Sequence, residues 1–153
     1  MIIWSLFSGS GLDALPFAEK GHTVKCFNYD DADHGDYASH GARIEHSRIE
    51  YINAYIDADF ARKSIVGHCG RVDMILALPS CTDFAVSGSR HFARRREADP
   101  DFQNEAAATA RIAADIAESL NVPYMIENPV KRIGYYNPHQ QRRNKHAKLQ
   151  QIT

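Results

Sequence analysis

An apolar run, Ile2 to Phe7, stops abruptly at Ser8-Gly9-Ser10-Gly11, and a second β-rich run follows within one short helix's length. That feature constrains the chain most. A buried strand entering a glycine turn reads as strand, then loop. Leu12 to Lys20 has apolar residues at Leu12, Leu15, Phe17 and Ala18, a loosely helical spacing, with Gly21 where a helix C-cap would stand. Pro16 is tolerated only in a first turn, so the helix is short or starts near Ala14. Thr23 to Tyr29 reads as a second strand, closed by Asp30-Asp31. Strand, glycine turn, helix, strand and acid form the first half of a nucleotide-binding α/β unit.

The rest of the chain repeats the alternation. Residues 31–48 are polar, with four acidic residues and three histidines, and read as a loop with a poorly marked helix. Ile49 to Ile56 predicts a third strand, followed by Asp57-Ala58-Asp59. Asp73 to Leu78 is the clearest buried strand and runs into Pro79-Ser80-Cys81-Thr82-Asp83. A basic loop, Arg90 to Arg96, precedes the strongest helix, the alanine-rich Gln103 to Leu120. Tyr124-Met125-Ile126 is a fifth short strand ending at Glu127-Asn128-Pro129. Alternating strands and helices imply a parallel sheet, here in order 3-2-1-4-5, with functional loops at the C-terminal ends of the strands.

Composition sets the outer limits. With 153 residues, 44% hydrophobic and 24% charged, the chain is about one ordinary domain, and collagen-like or disordered classes are excluded. No apolar run approaches the ~18 residues of a membrane span, and the start has no basic n-region of a signal peptide, so no membrane role is expected. Three cysteines (Cys26, Cys69, Cys81) form no even set, which favours a reducing, cytoplasmic location. Eight histidines show no repeated ligand spacing, and no metal site is expected. The net charge of −1 hides an asymmetry, −5 over residues 1–89 and +4 over 90–153. A basic half points to an anionic partner, or simply to a solvated face.

Three features could carry chemistry. Glycines at 9 and 11 let backbone approach a ligand, and Asp30 stands where a carboxylate grips a ribose hydroxyl. The third glycine of the dinucleotide fingerprint is missing, which favours an adenosine ligand without a pyrophosphate. Cys81 directly follows a buried strand, with cations nearby that would lower a thiol pKa; the alternative is a small buried hydrophobe, as Cys26 in mid-strand is read. Glu127, a carboxylate at the end of an apolar strand, has either a partner or a task.

Taken in order, these features resemble the cytosine-5 DNA methyltransferases, most of all the small phage-type cytosine methylases, over roughly residues 1–135. Leu6-Phe7-Ser8-Gly9-Ser10-Gly11-Leu12 resembles the family's Phe-x-Gly-x-Gly S-adenosylmethionine loop. Asp30 matches its ribose-binding acid, and Ile56-Asp57 resembles the segment flanking adenine. Leu78-Pro79-Ser80-Cys81 looks like the Pro-Pro-Cys nucleophile loop, and Ile126-Glu127-Asn128-Pro129 like the Glu-Asn-Val motif. The resemblance therefore implies a Rossmann-like methyltransferase fold, with Cys81, Glu127 and Asn128 as the catalytic set. Phe7 to Leu12, Asp30, Ile56, Asp57 and Pro79 would bind the cofactor, and Arg90, Arg94, Arg95 and Arg96 would hold phosphates of cytosine-containing DNA.

The departures are also specific. Ser80 replaces the second proline, Thr82 the glutamine after the cysteine, and Pro129 the valine. The chain stops after the fifth strand, so the expected fold lacks the family's last strands and target-recognition domain. A basic tail over 136–153, expected to be poorly ordered, takes their place. A protein partner replacing the recognition domain is one consequence. The other is an inactive methylase fold serving as a cofactor- or nucleic-acid binder, or as an inhibitor in phage counter-defence.

Overall fold

The computed structural model describes residues 1–30, 43–80, 83 and 90–127. In chain order the elements are β1 (Ile2–Leu6), α1 (Leu15–Glu19), β2 (Thr23–Asn28), β3 (Ile49–Asn53), α2 (Ala58–Ile65), β4 (Met74–Ala77), α3 (Phe92–Ala98), α4 (Phe102–Leu120) and β5 (Tyr124–Ile126). Among the described residues the strands form one sheet in the order β3-β2-β1-β4-β5, and every pairing is parallel. The expected order is the observed one. The fold is α/β and Rossmann-like.

Side-chain alternation assigns the two faces. Trp4 and Leu6 of β1, Phe27 of β2, and Ile75 and Ala77 of β4 meet Phe60 of α2 and Ala113, Ile116 and Ala117 of α4. Edge-on aromatic contacts knit this layer: Trp4 to Phe27 at 5.2 Å between ring centroids, and Phe27 to Phe60 at 5.3 Å. On the other face Ile3, Val24, Cys26 and Leu76 pack with Ala14 and Ala18 at α1. Burial on both faces is why these strands read as continuous apolar runs.

Pro16 lies in the first turn of α1, and Gly21 follows its end with φ +88°. The α4 helix begins one residue before its expected start and ends on Asn121 in the left-handed conformation (φ 53°).

Three expectations need correction. The third strand ends at Asn53, because Ile56 turns into the core and Asp57 starts a helix. That helix, α2, has Asp57 capping the Phe60 N–H at 2.8 Å, with Asp59 in the first turn and Arg62 and Lys63 in the last. Its single core-facing aromatic made the periodicity too faint. The basic stretch 90–96 is mostly helical, since Phe92 buries against Phe102 at 5.8 Å and anchors α3. The boundary near residue 135 and the basic tail 136–153 lie outside the described residues. No described helix is long and apolar enough to cross a membrane.

Candidate functional site

Parallel strands bring all their exits to one edge. Residues 7–14 leave β1 there, Asp30 leaves β2, Tyr55-Ile56-Asp57 leave β3, Leu78-Pro79-Ser80 leave β4, and Glu127 leaves β5. A switch point lies between β1 and β4, where successive connections run to opposite sides.

The glycine loop is held from below and from the side. Phe7 adopts φ +64°, rare for a bulky residue, and packs on the core beneath α2 and α4. Ser8 is buried; its Oγ donates to Asp13 Oδ1 at 2.5 Å, and Ser5 Oγ donates to the other oxygen of the same carboxylate. Asp13 thus ties the loop to β1. Gly9 has room for a Cβ, whose closest contact would be Asn28 Nδ2 at 3.6 Å. Gly11 does not: φ is +75° and a Cβ would fall 2.1 Å from Tyr51 Oη. Tyr51 Oη lies 2.9 Å from the carbonyl oxygens of both Ser10 and Ile44. Leu12 is exposed, and its N–H donates to Ser10 Oγ at 3.3 Å.

Asp30 is not isolated. Its Oδ1 accepts from Arg43 Nη2 at 2.5 Å and from Asn28 Nδ2 at 3.0 Å, while its N–H donates to Asn53 Oδ1 at 3.1 Å. Arg43 also donates from Nε to the Gly9 carbonyl at 3.3 Å and lies over the Tyr51 ring, 4.6 Å from its centroid. Neither Arg43 nor Tyr51 nor Asp13 was singled out by sequence. Arg43 stood in a polar segment, Tyr51 inside a strand pattern, and no spacing links them to residues 9–11. For Asp13 the signal was present: an acid two residues past a glycine loop that follows a buried serine.

Ile56 is buried, and one Asp57 oxygen is committed to the α2 cap. A cavity of about 440 Å³ opens beside them, between Tyr55, Ile56 and Ala58 on one side and Thr109, Ile112 and Asp115 of α4 on the other. A second, of about 250 Å³, lies between Ser80, Asp83, Arg95, Phe102 and Glu105, and Thr109 lines both. Tyr55 stacks edge-on with Tyr29 at 5.1 Å, an aromatic pair across the ends of β2 and β3.

Pro79 is buried after β4. Cys81 and Asn128 lie outside the described residues. The Glu127 N–H donates to Ala77 O at 2.9 Å and prolongs the β4–β5 ladder. Glu127 is exposed, and its carboxylate has no hydrogen-bond or ion-pair partner among the described residues. The four arginines separate into two pairs. Arg95 binds Asp83 and lies over the Phe102 ring at 5.2 Å, and Arg96 donates to the buried Gln103 at 3.2 Å. Both side chains are exposed and also fasten α3 to its neighbours. Arg90 reaches only its neighbour His91, and Arg94 is exposed with no partner among the described residues.

Cys26 is 1% exposed, and burial pushes its thiol up to about 11, against a smaller opposing effect of the Ser8 hydrogen bond. It is a structural thiol. Among the described residues no group of three His, Cys, Asp or Glu side chains could hold a metal ion. No protein-family model matches this chain, and no curated relative matches it.

Proposed function

We propose that the C-terminal sheet edge binds S-adenosylmethionine, and that the chain is a methyltransferase acting on C5 of cytosine in DNA. The supporting observation is the sequence of features along that edge. A glycine loop, Asp30, the Ile56-Asp57 cavity, the Pro79-Ser80 exit and Glu127, without a side-chain partner among the described residues, follow β1, β2, β3, β4 and β5 in turn. The residues present fit an adenosine ligand: a 440 Å³ cavity with an apolar floor at Ile56 and Ile112, a rim of Tyr55 and Asp115, and an acid on the neighbouring strand. Such mixed lining and volume suit a small-molecule site.

When bound, the cofactor supplies an electrophilic methyl group. The residues of the chain then have three tasks. Cytosine C5 is a poor nucleophile, so a thiolate from Cys81 adds to C6 and makes C5 electron-rich. Glu127 donates a hydrogen bond or proton to N3 and absorbs charge developing there, a role suited to a carboxyl with no other partner among the described residues. Loss of the C5 proton after methyl transfer expels the thiolate and frees Cys81. On a duplex the base must leave the stack, at a cost of a few kcal/mol. The partner is therefore DNA; the cytoplasm, or a host's cytoplasm for a phage-encoded chain, is the compartment where DNA is available.

The test is incubation with tritiated S-adenosylmethionine and plasmid DNA, with Cys81→Ser as control. Label in DNA that needs Cys81, and a covalent adduct with 5-fluorocytosine DNA that Glu127→Gln slows by ~10²–10⁴-fold, are expected. Absence of label, adduct and calorimetric cofactor binding would overturn the reading.

A further inference from the structure

We propose that Arg43 is a displaceable latch on this site, so that a ribose-bearing ligand that takes Asp30 Oδ1 does so by displacing the Arg43 guanidinium from it. The proposal rests on the adenosine reading above and adds its regulation. The guanidinium contacts Asp30 Oδ1 at 2.5 Å and the Gly9 carbonyl at 3.3 Å, with the Tyr51 ring on its flank. It therefore stands between the glycine loop and the acid, where a ribose diol would lie.

The Arg43 side chain can leave while its neighbour Ile44 stays on the glycine loop. Ile44 N–H donates to Ser10 O at 3.0 Å, and Tyr51 Oη bridges Ser10 O and Ile44 O at 2.9 Å. Those bonds hold the loop whether or not Arg43 is engaged. The degree of exposure also suits a latch. The Arg43 and Asp30 side chains are 33% and 25% exposed, so water reaches the pair and screens it. A fully buried pair would be a fixed part of the fold, and a fully exposed one would be worth too little to compete. Once released, the guanidinium keeps a cation–π surface on Tyr51.

The consequence is quantitative. Apparent affinity falls by the fraction of molecules whose site is open, so a latch closed nine-tenths of the time weakens binding about tenfold. Salt screens the ion pair but not a diol–carboxylate contact of a ligand without net charge.

The experiment is calorimetric titration of the full chain with S-adenosylhomocysteine, which carries no net charge at neutral pH, at about 0.05 and about 0.5 M NaCl. Arg43→Met, which keeps bulk and removes charge, is expected to bind about tenfold more tightly at low salt and to lose its salt dependence. The unmutated protein is expected to bind several-fold more tightly at high salt. Equal or weaker binding by Arg43→Met, or no gain with salt in the unmutated protein, would overturn the latch and leave the adenosine reading standing. Should Arg43→Met fail to fold, the salt arm decides alone. No binding by either protein at either salt would overturn both.

Discussion

At Gly11 a single hydrogen in place of a methyl group lets Tyr51 of β3 reach over the glycine loop. Gly11→Ala places a Cβ 2.1 Å from Tyr51 Oη and puts an L-residue at φ +75°. The backbone alone costs roughly 1–3 kcal/mol, so melting should drop measurably. Tyr51→Phe in the same chain removes the nearest clashing atom and should recover part of the loss, while the conformational part persists. Thermal unfolding of the single and double variants checks both statements. Cys26 yields a second residue-scale prediction. Its folded pKa of about 11 exceeds the unfolded value of 9.0, so folding binds the proton more tightly. The corresponding stability is fully present below pH 9 and is lost as pH rises through 11. The loss approaches about 2–3 kcal/mol, at 1.36 kcal/mol per unit of pKa difference. Denaturant titrations from pH 8 to 11 should show a shallower decline in Cys26→Ala, and native Cys26 should resist alkylation at pH 8.

Elements explain which charged residues are structural and which face solvent. Asp57 begins α2 by accepting the Phe60 N–H, and the same residue borders the 440 Å³ cavity. Asp57→Ala should cost ~0.5–2 kcal/mol of stability as a lost cap, while Asp57→Ser keeps the cap and should be nearly neutral. A ligand contact by the carboxylate would weaken S-adenosylhomocysteine in both variants, so comparing unfolding with titration separates the two roles. On α3, neighbouring arginines diverge because a helix points successive side chains in different directions. Arg95 and Arg96, though exposed, bind Asp83 and Gln103, whereas the exposed Arg94 has no partner among the described residues. Arg94→Glu should weaken DNA binding and lower its salt slope by about 1, with unfolding unchanged. Arg95→Ala should change stability by about 1 kcal/mol or less, as an exposed pair does, without the salt signature. Electrophoretic mobility shifts over a salt series distinguish them.

Across the whole molecule the charge is distributed against the simplest picture of DNA binding. Residues 1–127 hold 12 Lys and Arg against 19 Asp and Glu, a balance of −7. The compensating six, with no acid among them, all lie in residues 131–153. Replacing those six by glutamine in the full chain should therefore remove most non-specific DNA affinity and flatten its salt dependence. Binding of S-adenosylhomocysteine should persist, because every cofactor candidate lies at or before Asp115, ahead of those six residues. Filter binding over a salt series, paired with calorimetry, measures both.

The glycine turn, the strand-ending Asp30, the helix over 103–120 and the sheet order were legible in the linear chain. Each rests on local periodicity, turn chemistry or the handedness of parallel crossovers, all of which a short window carries. The helices at 58–65 and 92–98 were not, because one buried phenylalanine apiece, Phe60 and Phe92, holds them down where no stripe of apolar residues announces a helix. Arg43 on Asp30, Tyr51 against Gly11 and Arg95 on Asp83 join residues 12 to 40 positions apart. Such pairs have no sequence period. Only the register of β1, β2 and β3, and the packing of α3 on α4, bring them within bonding distance, and so only the tertiary structure decided that the acid at the end of β2 already holds a cation.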